Sequence, residues 1–166
     1  LWETLSELIQ DDKAFSEALK LQLIGVVSDD VIESIHQNGL NNHVNVVGYV
    51  SHDEALKFQM QSQLLLLIEI DSEDTKAIIP GKVFEYIVSE TPILAIGPKD
   101  ADVEQIIKST NTGTYFNYQQ KAQLKLQILN YFEAFKNKTL TVNAIGLQQY
   151  SRKVLTQKLS EIIKGR

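Results

Sequence analysis

Pro80-Gly81-Lys82-Val83-Phe84-Glu85 places a cation and a carboxylate within one helical turn of a proline-glycine corner. Proline suits the first turn of a helix and glycine leaves the backbone bare, so free N–H groups at this turn could face an anion. The helix dipole disfavours a cation in that first turn, which makes Lys82 anomalous unless a phosphate sits beside it. The plainer reading pairs Lys82 with Glu85 as a solvent-exposed ion pair, worth only roughly a few tenths of a kcal/mol. Helical side chains lean toward the N-terminus, so Glu85 can reach back toward the Gly81 turn, where a carboxylate could hold two vicinal hydroxyls. Its plainer role is that of an acid complementing the helix dipole.

These residues need a frame, and the flanking runs supply one. Leu64 to Ile70 reads as a fully buried strand and Pro92 to Ile96 as another, so the segment between them is a βαβ crossover with parallel strands. Upstream, Leu1, Leu5, Leu8 and Ile9 share a helical face ending near Asp11-Asp12 or running weakly on to Leu19. Leu21 to Val27 reads as a buried strand. Ser28 then caps a helix striped by Val31, Ile32 and Ile35 and stopped by Gly39. Val44 to Val50 is the next strand, and Ser51 with Glu54 forms a capping box opening a helix to about Gln61.

Downstream come a helix from Ala101 to Ser109, a strand at Thr114 to Phe116, and two longer helices. The first, Lys121 to Phe135, carries Leu124, Ile128, Tyr131 and Phe132; the second, Asn143 to Lys164, turns Val154, Leu155, Leu159 and Ile162 inward. Strand and helix alternate about five times without an internal repeat or a low-complexity linker. The pattern predicts one doubly wound α/β domain over residues 1–166, its mostly parallel sheet covered by helices on both faces and followed by long C-terminal helices. Ligands of such sheets bind beyond the carboxyl ends of the strands, which selects the loops after Val27, Val50, Ile70 and Ile96. The loop from Asp71 to Pro80 is the longest of these and leads on that ground.

With 166 residues and 43% hydrophobic content, the chain suits one domain with a sizeable core. Its 16 basic and 21 acidic side chains give a net charge of −5, which argues against a general nucleic-acid surface. Cysteine is absent, which removes disulfides and thiolate metal sites and is compatible with a reducing, cytoplasmic setting. No apolar run reaches the roughly 18 residues of a membrane helix. The opening residues read as helix rather than as a signal peptide, and without an initiating Met the chain reads as a piece of a longer protein.

Other candidates are weaker. His36, His43 and His52 lack zinc-site spacing, and Ser51-His52-Asp53 is no triad by adjacency alone. Asp71-Ser72-Glu73 reads as a solvated acidic loop sooner than a divalent-ion site. Asn137-Lys138-Thr139 matches a glycosylation sequon of a kind common by chance. The basic side chains Arg152, Lys153, Lys158 and Lys164 are interleaved with Glu161 and read as a solvated helix face.

The run Ile79 to Pro98, IPGKVFEYIVSETPILAIGP, preceded by a buried strand and an acidic loop, resembles the C-terminal, donor-binding half of a GT-B glycosyltransferase of the group 1 family (GT4-like). The similarity extends from about Leu21 to Phe116. It implies a Rossmann-like domain that holds a nucleoside-diphosphate sugar, with no bound cofactor and no metal. It further implies an N-terminal acceptor domain as partner and a role such as polysaccharide biosynthesis at the cytoplasmic side, with at most peripheral membrane contact. Transfer would go to a hydroxyl of a saccharide, lipid or protein, and the fragment alone would be inactive. In that resemblance Glu85 matches the second of two motif glutamates and holds the donor ribose. Ala77 stands where the first would be, so that contact is absent or supplied by another group such as Glu73, Asp74 or Thr75. Ile79, Gly81 and Lys82 fall near the diphosphate, and Tyr49 and Val50 border the base. A nucleotide-sugar epimerase of the same fold and a degenerate, non-catalytic binding domain are the alternatives.

Overall fold

The computed structural model describes residues 1–165. Its chain order is α1 (Trp2–Asp11), α2 (Lys13–Ala18), β1 (Leu21–Ile24), α3 (Asp29–Gln37), β2 (Val44–Gly48), α4 (His52–Gln61), β3 (Leu65–Ile68), α5 (Lys82–Tyr86), β4 (Ile93–Gly97), α6 (Asp102–Thr110), β5 (Gly113–Asn117), α7 (Lys121–Lys136) and α8 (Arg152–Ile163). The fold is α/β and Rossmann-like, with parallel strands alternating with helices. Those strands are distributed over two sheets, β1-β2 and β3-β4-β5. The chain falls into two compact units, one of residues Leu1–Phe58 and Gln119–Leu140, the other of Gln59–Tyr118 and Thr141–Arg166.

In the first unit, β1 and β2 pair in parallel, with Leu21 opposite Val44 and Leu23 opposite Val46. The strands are shorter than the apolar runs that contain them. Gly25 and Gly48 take positive φ angles of 99° and 78° and turn the chain, so the expected extension to Val27 and Val50 does not form. Val26 is therefore 93% exposed rather than buried in a strand. Asp12 splits the opening helical stretch, because its carboxylate accepts from the Ala14 and Phe15 N–H groups at 2.8 and 3.1 Å and starts α2 afresh. The Ser51–Glu54 capping box forms as the spacing predicts: the Ser51 N–H donates to Glu54 Oε2 at 3.0 Å, and the Glu54 N–H donates back to Ser51 Oγ at 3.3 Å. Leu5, Leu8, Phe15, Leu124, Ile128 and Phe132 are buried, and the Phe15 and Phe132 rings meet edge to face at 5.1 Å.

The second unit holds the three-stranded sheet. Leu65 to Ile68 run beside Ile93 to Ile96, and Ile93 to Gly97 beside Gly113 to Asn117, both in parallel. Every residue of the central strand β4 is buried, as a strand covered on both faces requires. Fully burying an Ile or Leu there contributes about 1.5–3 kcal/mol per side chain. Val83 and Ile87 from the α5 segment and Val103 and Ile107 from α6 close on this sheet. Asn111 ends α6 in the left-handed conformation, which asparagine tolerates.

The closing helix is shorter than its apolar spacing suggests. Gly146 has a φ of 65°, a 3-10 turn spans Leu147–Tyr150, and Ser151 Oγ accepts from the Val154 N–H at 3.3 Å to cap α8. Before the break, Ile145 donates to the Thr110 carbonyl and Asn111 Nδ2 to the Asn143 carbonyl, each at 2.9 Å. Leu155, Leu159 and Ile162 are exposed, contrary to their expected inward placement. Among the described residues, no helix is long and apolar enough to cross a membrane.

Candidate functional site

The buried chemistry of the second unit gathers at the carboxyl edge of β3-β4-β5. Side chains of a strand alternate between faces, and in the β3 run Leu65, Leu67 and Glu69 are the buried set while Ile68 and Ile70 are exposed. Glu69 thus continues the core-facing row of β3 and carries a carboxylate to a position only 8% exposed. Its neighbours come from the other two strands. Tyr115 of β5 reaches it with Oη 3.2 Å from Glu69 Oε2, and the same hydroxyl donates to the Pro98 carbonyl at 2.9 Å, just past β4. The Tyr118 hydroxyl donates to the Glu69 carbonyl.

Gly97, at the end of β4, makes room for this arrangement. A Cβ there would lie 2.3 Å from Tyr115 Oη and 2.9 Å from Glu69 Oε2, so a larger residue would have to displace the pair. Burial pushes the Glu69 carboxyl above its ordinary range, opposed by the Tyr115 bond and by the charge of Lys82. Tyr115 is pushed up by its own burial and by the Glu69 carboxylate, and Tyr118 by burial and then by Asp71 and Glu69.

Lys82 opens α5, and Gly81 precedes it with open space around the position a Cβ would take. The ammonium meets solvent at the surface, yet the protein around it displaces enough water to lower its pKa. The carboxylate whose charge counteracts that lowering is Glu69. Glu85 lies one turn on and accepts from Gln59 Nε2 at 3.2 Å. Ile79 is 39% exposed in the loop between Glu69 and Gly81.

That loop is held by its own bonds. Thr75 Oγ1 donates to the carbonyls of Ile70 and Ser72, both at 2.8 Å, and the Asp102 N–H donates to the Lys76 carbonyl at 2.9 Å. Glu73 stands in the 3-10 turn Glu73–Thr75, faces solvent and pairs with Lys76 at 2.8 Å. Ala77 is exposed.

The structure therefore carries Glu73, Ile79, Gly81, Lys82 and Glu85 in the second unit, within one continuous stretch between β3 and β4. Tyr49 and Val50 belong to the first unit, immediately after β2; Tyr49 is 86% exposed and Val50 half-buried. Sequence reasoning missed Glu69, although the alternation in Leu65-x-Leu67-x-Glu69 was a signal for it: a charged residue in register with the buried row. Tyr115 was read only as part of a strand. Among the described residues, no group of three or more His, Asp or Glu side chains is placed to hold a metal ion.

No family model matches this chain, and no curated protein matches it either.

Proposed function

We propose that this chain is the donor-binding half of a GT-B glycosyltransferase, taking a nucleoside-diphosphate sugar for transfer to a hydroxyl acceptor. One observation carries the reading: a cation and a carboxylate one turn apart open a helix at the carboxyl edge of a parallel sheet, behind a glycine with open space at its Cβ position. Lys82 is suited to neutralise a diphosphate, and Glu85 to accept from ribose hydroxyls, exchanging its Gln59 bond for them. The leaving nucleotide is stabilised by Lys82 and nearby backbone N–H groups, whose aim is fixed before the bond breaks. An acceptor domain completes the cleft. A cytoplasmic location with at most peripheral membrane contact belongs to the same proposal.

One observation favours a second reading, binding without transfer. Ala77 supplies no carboxylate, and Glu73, one candidate substitute, is engaged by Lys76.

Titration calorimetry of the chain with UDP, GDP and their sugars tests the donor reading. Saturable binding is expected, weakened about tenfold or more by Glu85→Ala and by Lys82→Ala, the loss of one charge-assisted contact each. No binding by the wild-type chain overturns the reading. Binding without glycosyl transfer, in a protein that also carries an acceptor domain, selects the second.

A further inference from the structure

We propose that α8 is an interfacial helix that lays its apolar side on an anionic lipid surface. The assignment needs neither Lys82 nor Glu85, so lipid binding and nucleotide binding can fail separately.

No residue of α8 is buried, and only Val154 and Ser160 are half-buried between Arg152 and Ile163. A helix shorter than about 12–15 residues is marginal in water when nothing packs on it. The 12 residues of α8 are capped by Ser151 but have almost no protein surface to lie on. At about 3.6 residues per turn, Leu155, Leu159, Ile162 and Ile163 share an arc of roughly 100°. All four are exposed, Ile162 and Ile163 at 74% and 76%. Aliphatic side chains gathered in water along one side of a helix mark an interaction surface.

Charge selects what covers it. Residues 152–164 carry four cations, Arg152, Lys153, Lys158 and Lys164, against the single acid Glu161, a net charge of +3 in a chain whose total is −5. Arg152 heads the apolar arc and Lys158 borders it. Glu161 lies on the far side of the helix, where it accepts from Gln157 Nε2 at 3.1 Å. A second copy is a poor cover: Leu155, Leu159 and Ile162 have the spacing of a coiled-coil seam, but two such seams would bring together borders that carry cations and no acid. An anionic lipid surface offers hydrocarbon to the arc and negative charge to its border. The long stems of Arg152 and Lys158 let their charges stay among the headgroups while the arc sinks below them. Repulsion from acids elsewhere in the chain is screened over a Debye length of about 8 Å at physiological salt.

The chain has no cysteine, so a single introduced one places an environment-sensitive fluorophore on a chosen side of the helix. Ile163→Cys and Glu161→Cys, each labelled, are compared on vesicles of phosphatidylcholine and on vesicles of an equimolar mixture with phosphatidylglycerol. The label at position 163 should shift to the blue on the mixed vesicles only, and the label at position 161 should stay in water. In co-sedimentation with the mixed vesicles, Leu159→Gln combined with Ile162→Gln should lower the partition coefficient about tenfold or more, and Lys158→Gln about fivefold at low salt. All three positions are exposed and glutamine is a good helix former, so folding is not at issue. Absence of binding to the mixed vesicles, equal binding to the neutral ones, or binding that survives the double substitution overturns the proposal. So does a doubled mass in light scattering without lipid that the double substitution abolishes, which assigns the face to a second copy.

Discussion

Glu7 and Glu69 are both glutamates with shifted titration, and they are shifted in opposite directions by opposite surroundings. On α1 and α7 of the first unit the charges stay in water: Lys121 contacts Glu3 and Glu7 at 3.0 and 2.9 Å, and Lys125 contacts Glu7 and Asp11 at 2.9 and 3.0 Å. Hydrogen bonds from the two lysines hold the Glu7 carboxyl down at about 2. At the edge of β3-β4-β5 the single carboxylate is buried, meets one shared hydroxyl, and is pushed up. Exposed pairs add little each and are screened by salt, whereas a buried acid must be satisfied locally or become neutral. The first region is built to keep charge, and the second to release it.

The sharpest way to break this contrast is to overfill the second region. A Cβ at Gly113 would stand 2.0 Å from the Ile93 carbonyl oxygen, a backbone atom with nowhere to go. Gly113→Ala should cost about 3 kcal/mol or more in urea unfolding. Gly97→Ala meets side-chain atoms that can shift, so about 2 kcal/mol is expected, together with a displaced Tyr115. A neutral outcome at both glycines would mean that the sheet edge is as permissive as the α1–α7 surface.

Stability against pH sharpens the contrast further. Glu7 is depressed on folding, so its contribution is present above its ordinary value of 4.5 and is lost as pH falls toward about 2. Glu69 is raised, so its contribution is complete below 4.5 and is lost as pH rises through its folded value. In urea midpoints measured across pH, Glu7→Gln should flatten the acid limb and Glu69→Gln the alkaline one. Identical profiles for the two variants would erase the distinction. The smallest expected effect is that of salt: molar NaCl should shrink the acid limb, whose pairs are exposed, and leave the alkaline limb in place.

Legibility in the sequence followed the range of the interaction. The Ser51–Glu54 capping box formed as its spacing predicts because both partners lie within one turn. The alternation of strands and helices was readable for the same reason, since each amphipathic stripe is local. Val26 and Ile162 were misplaced because apolar character alone does not say whether a partner surface exists. The contact of Tyr115 with Glu69 was invisible because the two residues lie 46 positions apart and meet only across the sheet.

By itself the sequence determined the α/β class, the parallel crossover around Gly81 and the local caps, all products of short-range periodicity and backbone preference. Only the tertiary structure decided that Glu69 is buried beside Tyr115 and that Gly97 is packed against the pair. Those facts depend on three parallel strands bringing residues 69, 97 and 115 to one edge, and spacing along the chain does not encode a distance across a sheet.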